Sequence, residues 1–316
     1  MEQQQNFQRR TVRQHNKRKS FFTFKLFIFV ALLCVSAWVF TYNILPKENE
    51  AKESPAINIK SNNPENQSFD EKNEPLQSGS LALAYDELIQ KDNNQLLLIN
   101  SEHEAPSGIT DGFVNVLDYV STLNANILMN KDALVMLKEM FGSAAGIGYD
   151  EFRVTEGYRT YEYQQTLYDS AVDKSYVSPP GRSEHHTGLA ADISYSGVNI
   201  ANSKQGTWLA ENSYKYGFIL RYPQDKEHIT NISYEPWHFR FVGLPHAYFC
   251  FENNLCMEEY IDYLKRYKEA SIRINRVDYN IYYINDTNRT VEIPLNHSYS
   301  VSSDNTGGII VTVWAD

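Results

Sequence analysis

Ser183-Glu-His-His-Thr-Gly-Leu-Ala-Ala-Asp192 and the shorter Glu235-Pro-Trp-His238 are the stretches on which the reading of this chain turns. The first sets an imidazole and a carboxylate, His185 and Asp192, seven residues apart with small residues between them. Gly188 and Ala190 let the backbone curl closely, so that both ends can point at one ion. The second places a carboxylate three residues before an imidazole. Catalytic zinc takes three protein ligands of the His and Asp/Glu type and keeps one position for water. Two histidines, one aspartate and one spare glutamate supply that set. By spacing alone such pairs often arise by chance, with simple capping and surface roles.

Outward from these stretches the pattern is that of an ordered domain. Asn130 to Gly142 predicts a helix, with a polar start, apolar residues three and four apart, and a terminal glycine. Glu151 to Tyr158 alternates as a strand does, and Tyr161 to Val172 is spaced as a second helix. Ser203 to Tyr216 predicts a third helix, closed by Gly217. Phe218 to Tyr222 and Trp237 to Val242 read as short strands, and Cys256 to Lys268 as an amphipathic helix. Short strands and helices without regular β-α alternation point to an α+β domain, here over 81–269. Residues 270–316, rich in Tyr, Ile, Val and Thr, are expected to form a small β appendage.

The N-terminus is different in kind. Residues 1–20 carry six basic side chains against the single acid Glu2, as a basic cytoplasmic tail does. An apolar stretch at 21–42 follows, interrupted only by Lys25, and 22 helical residues span roughly a 30 Å hydrocarbon core. It is expected to be one transmembrane helix, with the basic flank inside and the rest of the chain outside the cytoplasmic membrane. A cleaved signal peptide is the competing reading. Residues 43–80 turn polar, rich in Glu, Asn, Lys, Ser and Pro, and read as a flexible spacer. Without residues 1–42 the chain has 22 basic and 38 acidic residues, a net charge of −16, which argues against nucleic acid as a partner. Cys250 and Cys256 fall in the exported part, where a disulfide and a pair of buried thiols are both compatible with the sequence.

Other residues compete for the chemistry. His186 adjoins His185 but diverges from it in an extended turn, and His228 sits in a charged loop read as rim or surface. Glu184 is read as a supporting contact or as idle, and His103, between Glu102 and Glu104, as an exposed loop residue. Ser183 has no base of its own that would make it a nucleophile. Trp237 reads as a packing residue between Glu235 and His238.

Taken together, Ser183-x-His185-x-x-Gly188-x-Ala190-x-Asp192 and Glu235-x-x-His238 resemble the signature of the VanY-type D-alanyl-D-alanine carboxypeptidases. That zinc peptidase superfamily also contains VanX-type dipeptidases and the Hedgehog signalling domain. Glu156-Gly-Tyr-Arg-Thr-Tyr-Glu-Tyr-Gln164 is similar to the family's Ser-Gly-Tyr-Arg-Ser segment, with Glu156 where serine is usual and Thr160 in place of serine. Gly217-Phe-Ile-Leu-Arg-Tyr-Pro223 and Trp237-His-Phe-Arg-Phe-Val-Gly243 are also family-like. The resemblance implies a small antiparallel sheet with flanking helices that holds one Zn2+ on His185, Asp192 and His238. It implies Glu235 as the catalytic base, Arg159 as the arginine that polarises the scissile carbonyl, and Ser183 and Gln164 near the substrate's terminal residue. The implied partners are peptidoglycan stem peptides ending in D-Ala-D-Ala, cleaved either to trim the wall or to remove an antibiotic's target. An L,D-carboxypeptidase on tetrapeptide stems and a non-hydrolytic metal-binding wall or signalling module are the alternatives.

Overall fold

The computed structural model describes residues 79–109 and 112–315. The expected cytoplasmic tail 1–20, the anchor 21–42 and all but the end of the spacer 43–80 lie outside the described residues. Among the described residues no helix is long and apolar enough to cross a membrane. Strands β1 (Ser80–Ala84), β2 (Phe113–Asn115) and β3 (Leu128–Asn130) precede the four that carry the candidate site. These four are β4 (Phe152–Glu156), β5 (Ala190–Tyr195), β6 (Phe218–Leu220) and β7 (His238–Phe241). After them come β8 (Glu269–Ile274), β9 (Val277–Ile284), β10 (Thr290–Pro294), β11 (His297–Ser303) and β12 (Ile309–Ala315).

The central sheet has the order β4-β5-β7-β6 with every pairing antiparallel. Side chains alternate across a strand, so each strand of this sheet sorts its residues between two faces. Ala191 and Ile193 of β5 and Phe239 and Phe241 of β7 share one core with Leu134, Leu137 and Met140. Asp192, His238 and Arg240 take the opposite face. The helix behind the sheet, Lys131–Ala145, starts where Asn130 accepts hydrogen bonds from the Asp132 and Ala133 amides. Its buried residues Ala133, Leu134, Leu137, Met140 and Ala144 recur at helical spacing. Each of the larger ones contributes roughly 1.5–3 kcal/mol by leaving water. Thr160 and Ser203 cap the helices Tyr161–Ser170 and Lys204–Asn212 in the same way.

The stretch Ser183–Asp192 is more regular than the expected curl. A single 3₁₀ turn spans Glu184–Thr187, and Gly188 at φ +67° ends it. The chain then enters β5 at Ala190, so Asp192 is delivered by a strand rather than by a loop. Gly188 is required twice over: its φ is left-handed, and a Cβ there would lie 2.6 Å from the Phe113 ring. The helix Leu244–Glu252, with Pro245 in its first turn, has no counterpart in the sequence reading.

Residues 270–316 supply most of a second four-stranded sheet, β11-β12-β9-β8, while β10 pairs with β1. One face of this sheet packs Ala270, Ile281, Tyr283 and Ile310 in a core with Phe249, Tyr260 and Ile261. Thr312 and Tyr260 also both bond the buried His246 ring, at 3.1 and 2.6 Å. The other face joins Val301, Ile309, Val311 and Val313 to Leu83, Leu88 and Ile293. The C-terminal segment is thus walled into the domain on both sides. Cys250 and Cys256 are buried free thiols, with no disulfide between them.

Because both cores are shared, a chain ending at Lys268 should lose the cooperative unfolding transition of the full-length protein. Circular dichroism through a denaturant titration checks this, and a truncated chain with an unchanged midpoint would contradict it.

Candidate metal centre

Antiparallel register builds the site. Asp192 of β5 lies directly opposite His238 of β7 and opposite Glu156 of β4. Three strands therefore set Glu156, Asp192 and His238 side by side in one row on the face away from the helix core. The imidazole of His238 places Nδ1 2.9 Å from Asp192 Oδ1. Arg159, three residues beyond Glu156, reaches back along the row, with Nη2 2.9 Å from Asp192 Oδ2 and Nε 3.3 Å from Glu156 Oε2. The glutamate that stands in place of serine thus pairs with the arginine.

His185 joins from the 3₁₀ turn. The Arg159 amide donates to the His185 carbonyl, and His185 Nδ1 donates to the Gly157 carbonyl at 2.6 Å. A carbonyl can only accept, so the proton sits on Nδ1 and the lone pair on Nε2. That Nε2 is buried, has no hydrogen-bond partner among the described residues, and lies 3.4 Å from Asp192 Oδ1. A nitrogen lone pair thus faces a carboxylate oxygen. Glu235 enters on a tight turn in which the His238 amide donates to the Glu235 carbonyl, with Pro236 between them presetting φ. Its Oε2 is 3.7 Å from His238 Nδ1.

The charges agree with a cation at this point. Burial together with Arg159 pushes the His185 imidazole down to about 4, so it is neutral and free to ligate. Burial opposes a charge on His238, yet its bond to Asp192 and the Glu184 carboxylate on its other side lift it to about 9. Burial would raise Asp192, but His185 and His238 hold it well below the usual carboxylate range. Asp192 thus brings a full negative charge to the point where the two imidazoles converge, and Arg159 shares it from the edge of the cleft. One ligand atom from each of His185, Asp192 and His238 lies within 4.8 Å of the others, and all three residues are buried. These residues fit a divalent cation of the borderline kind that takes imidazole and carboxylate.

The cluster opens into a cleft of about 800 Å³ whose lining also includes Arg159, Gln164, Ser183, Glu235 and Trp237. Gln164 is fixed there by donating to the Ser178 carbonyl at 2.8 Å. A separate cleft of about 600 Å³, beside Tyr214 and Phe251, has no imidazole or carboxylate in its lining. All seven residues singled out from the sequence therefore line one cleft.

His186 does not ligate. Its Nδ1 donates to the Arg159 carbonyl and its Nε2 accepts from the Gly181 amide, which ties the arginine segment to the cleft rim. His228 is exposed, and His103 bonds Asn100. Sequence reasoning missed Arg221, Arg240 and Tyr222, and left Glu184 open. Glu184 is buried between Arg221 Nε at 2.8 Å and Arg240 Nη1 at 2.9 Å, and the Tyr222 ring packs on His238. One signal was available: in Trp237-His-Phe-Arg-Phe-Val, Arg240 is two residues from His238 and so shares its face.

Comparison with known proteins points to one family. A sequence model of the family described as VanY, D-alanyl-D-alanine carboxypeptidase, matches residues 126–244. A D-alanyl-D-alanine carboxypeptidase of Enterococcus faecium is 40% identical over 227 residues, covering 69% of this chain and 75% of the relative. A putative carboxypeptidase of Bacillus subtilis, YodJ, is 37% identical over 196 residues, 57% of this chain and 71% of its own. The crystal structure of the vancomycin-resistance D,D-dipeptidase VanXYg, bound to a D-Ala-D-Ala phosphinate analogue, superposes with a TM-score of 0.64 at 30% identity. That superposition covers 75% of this chain and 98% of the other. The fold and the site define a carboxypeptidase. The chain belongs to the VanY family of D-alanyl-D-alanine carboxypeptidases.

Burial lifts the Glu235 carboxyl to about 7, against 4.5 for an ordinary glutamate, with Asp192 and Glu184 adding to the rise. Ionising it over that interval works against the fold. Metal-free protein carrying Glu235→Gln should therefore gain thermal stability over the parent as pH rises from about 5 to above 7, and show little difference in more acid solution. A difference in Tm that does not change with pH would contradict this.

Proposed function

We propose that this chain is a zinc-dependent D-alanyl-D-alanine carboxypeptidase that removes the terminal D-Ala from peptidoglycan stem peptides. The observation that carries the reading is one open cleft in which a neutral imidazole lone pair, a carboxylate and a second imidazole converge, flanked by Glu235 and Arg159. A pure binding module has no use for a buried proton acceptor beside such a cluster.

His185 through Nε2, Asp192 through Oδ1 and His238 through Nδ1 would hold the zinc. When bound, zinc acidifies its water and polarises the scissile carbonyl. Glu235 accepts the proton of the attacking water and returns it to the departing amine of D-Ala, as base and then acid. Its carboxyl, lifted by burial to about 7, is matched to both halves of that task. The Arg159 guanidinium, held at two edges by Asp192 and Glu156, offers its remaining N–H groups to the carbonyl oxygen as negative charge develops. Ser183 and Gln164, on the wall beside Arg159, are assigned to the terminal residue of the substrate. The apolar stretch 21–42 with its basic flank supports a single-pass anchor, and the polar stretch 43–80 a spacer, which would set the cleft outside the cytoplasmic membrane against the wall.

Full-length zinc-loaded protein should release D-Ala from a peptide ending in D-Ala-D-Ala and stop doing so when zinc is chelated. Glu235→Gln should lower kcat by about 10²–10⁴ while zinc stays bound. Zinc-replete protein inert on that peptide would overturn the substrate assignment, and preferential release from a peptide ending in L-Lys-D-Ala would replace it with an L,D-carboxypeptidase. An unchanged kcat for Glu235→Gln would remove Glu235 from the mechanism.

A further inference from the structure

Behind His238, on the side away from the cleft, three charged side chains are buried together, with the half-buried Glu258 beside them. Glu184 Oε1 takes a hydrogen bond from Arg221 Nε at 2.8 Å and lies 2.9 Å from Arg240 Nη1, which approaches off the hydrogen-bond axis. Arg221 turns its other two nitrogens to Glu258, at 2.7 and 2.8 Å. Arg240 is anchored further by donating to the carbonyls of Gln95 and Leu97. Glu184, Arg221 and Arg240 are all at most 1% exposed. Ion pairs this deep are weak devices for stability, because desolvation offsets most of their attraction. Their arrangement needs another reason.

One oxygen of the cluster supplies it. Both Arg contacts fall on Oε1, which leaves Glu184 Oε2 buried and without a hydrogen-bond partner among the described residues. His238 Nε2 is in the same condition, and the two atoms face each other at 3.6 Å. Closing a few tenths of an ångström satisfies both. The other ring nitrogen, Nδ1, looks the opposite way, to Asp192 Oδ1 at 2.9 Å and Glu235 Oε2 at 3.7 Å. Which nitrogen of such a ring is free to ligate is set by the hydrogen bond that the other one makes.

Building on the metal-centre reading, we propose that Glu184 is a positioning residue for His238. Its carboxylate, clamped by Arg221 and Arg240, holds the proton on Nε2 and so reserves the Nδ1 lone pair for the cation shared with His185 and Asp192. The two arginines hold the Glu184 carboxylate in that orientation, while Glu258 pairs with Arg221. The 3₁₀ turn makes this economical in chain: Glu184 and His185 are adjacent, yet one acts on the back of His238 and the other converges on its front.

The test uses the full-length protein and zinc itself. Nitrogen-15 spectra of the labelled His238 ring in the zinc-loaded wild type should show a protonated Nε2 and zinc at Nδ1. Zinc at Nε2 would overturn the proposal while leaving the metal centre standing. A wild type that takes up no zinc would overturn both. In a chelator competition, Glu184→Gln should weaken zinc binding ten- to hundredfold. Glu258→Gln, which touches Arg221 and Asn100 rather than an imidazole, should leave the affinity close to wild type. An equal loss from both variants would make the network merely structural and overturn the proposal.

Discussion

The pairing of β5 with β7 in one register is the constraint on which the rest depends. It sets Asp192 opposite His238, and the neighbouring pair sets Asp192 opposite Glu156. A slip of one residue would turn each of these side chains to the other face of the sheet and bury them against Phe152 and Leu134. The register is pinned by the opposite face, where Ala191, Ile193, Phe239 and Phe241 fit the helix core. Hydrophobic burial on one side of the sheet therefore fixes the polar geometry on the other.

That geometry is costly to build. Asp192, His185, Glu184 and Glu235 are ionisable groups taken almost wholly out of water, and each such transfer opposes folding unless a partner compensates. The structure compensates in two layers. Arg221 and Arg240 neutralise Glu184 at the back, and Arg159 neutralises Asp192 at the edge of the cleft. Glu235 is left without an arginine of its own, which is why burial lifts it to about 7 and why it can both take and return a proton near neutrality.

Much of this was legible in the sequence, for identifiable reasons. Helical spacing gave the helices read at 130–142 and 161–172, which the structure bounds as Lys131–Ala145 and Tyr161–Ser170. The residues that the resemblance assigns as ligands and base stood out as motif blocks, because metal chemistry restricts residue type more tightly than packing does. The strand β5 was hidden because it is buried on both faces, so its Ala-Ala-Asp-Ile lacks the alternation that marks a half-exposed strand. The helix Leu244–Glu252 was hidden by being apolar nearly all round, lying between two packed layers. The role of Glu184 depends on Arg221 and Arg240, far away in the chain, and only the tertiary fold brings them together. The tight packing of 270–316 likewise rests on long-range contacts that composition cannot reveal.

His185, Asp192 and His238 are proposed to hold one zinc ion between them. X-ray absorption at the zinc edge, on the loaded wild type and on His238→Ala, tests it most directly. The wild type should show two imidazole nitrogens at about 2.0–2.1 Å plus oxygen ligands, falling to one imidazole in the variant. A first shell containing sulfur, or one that His238→Ala leaves unchanged, would contradict it.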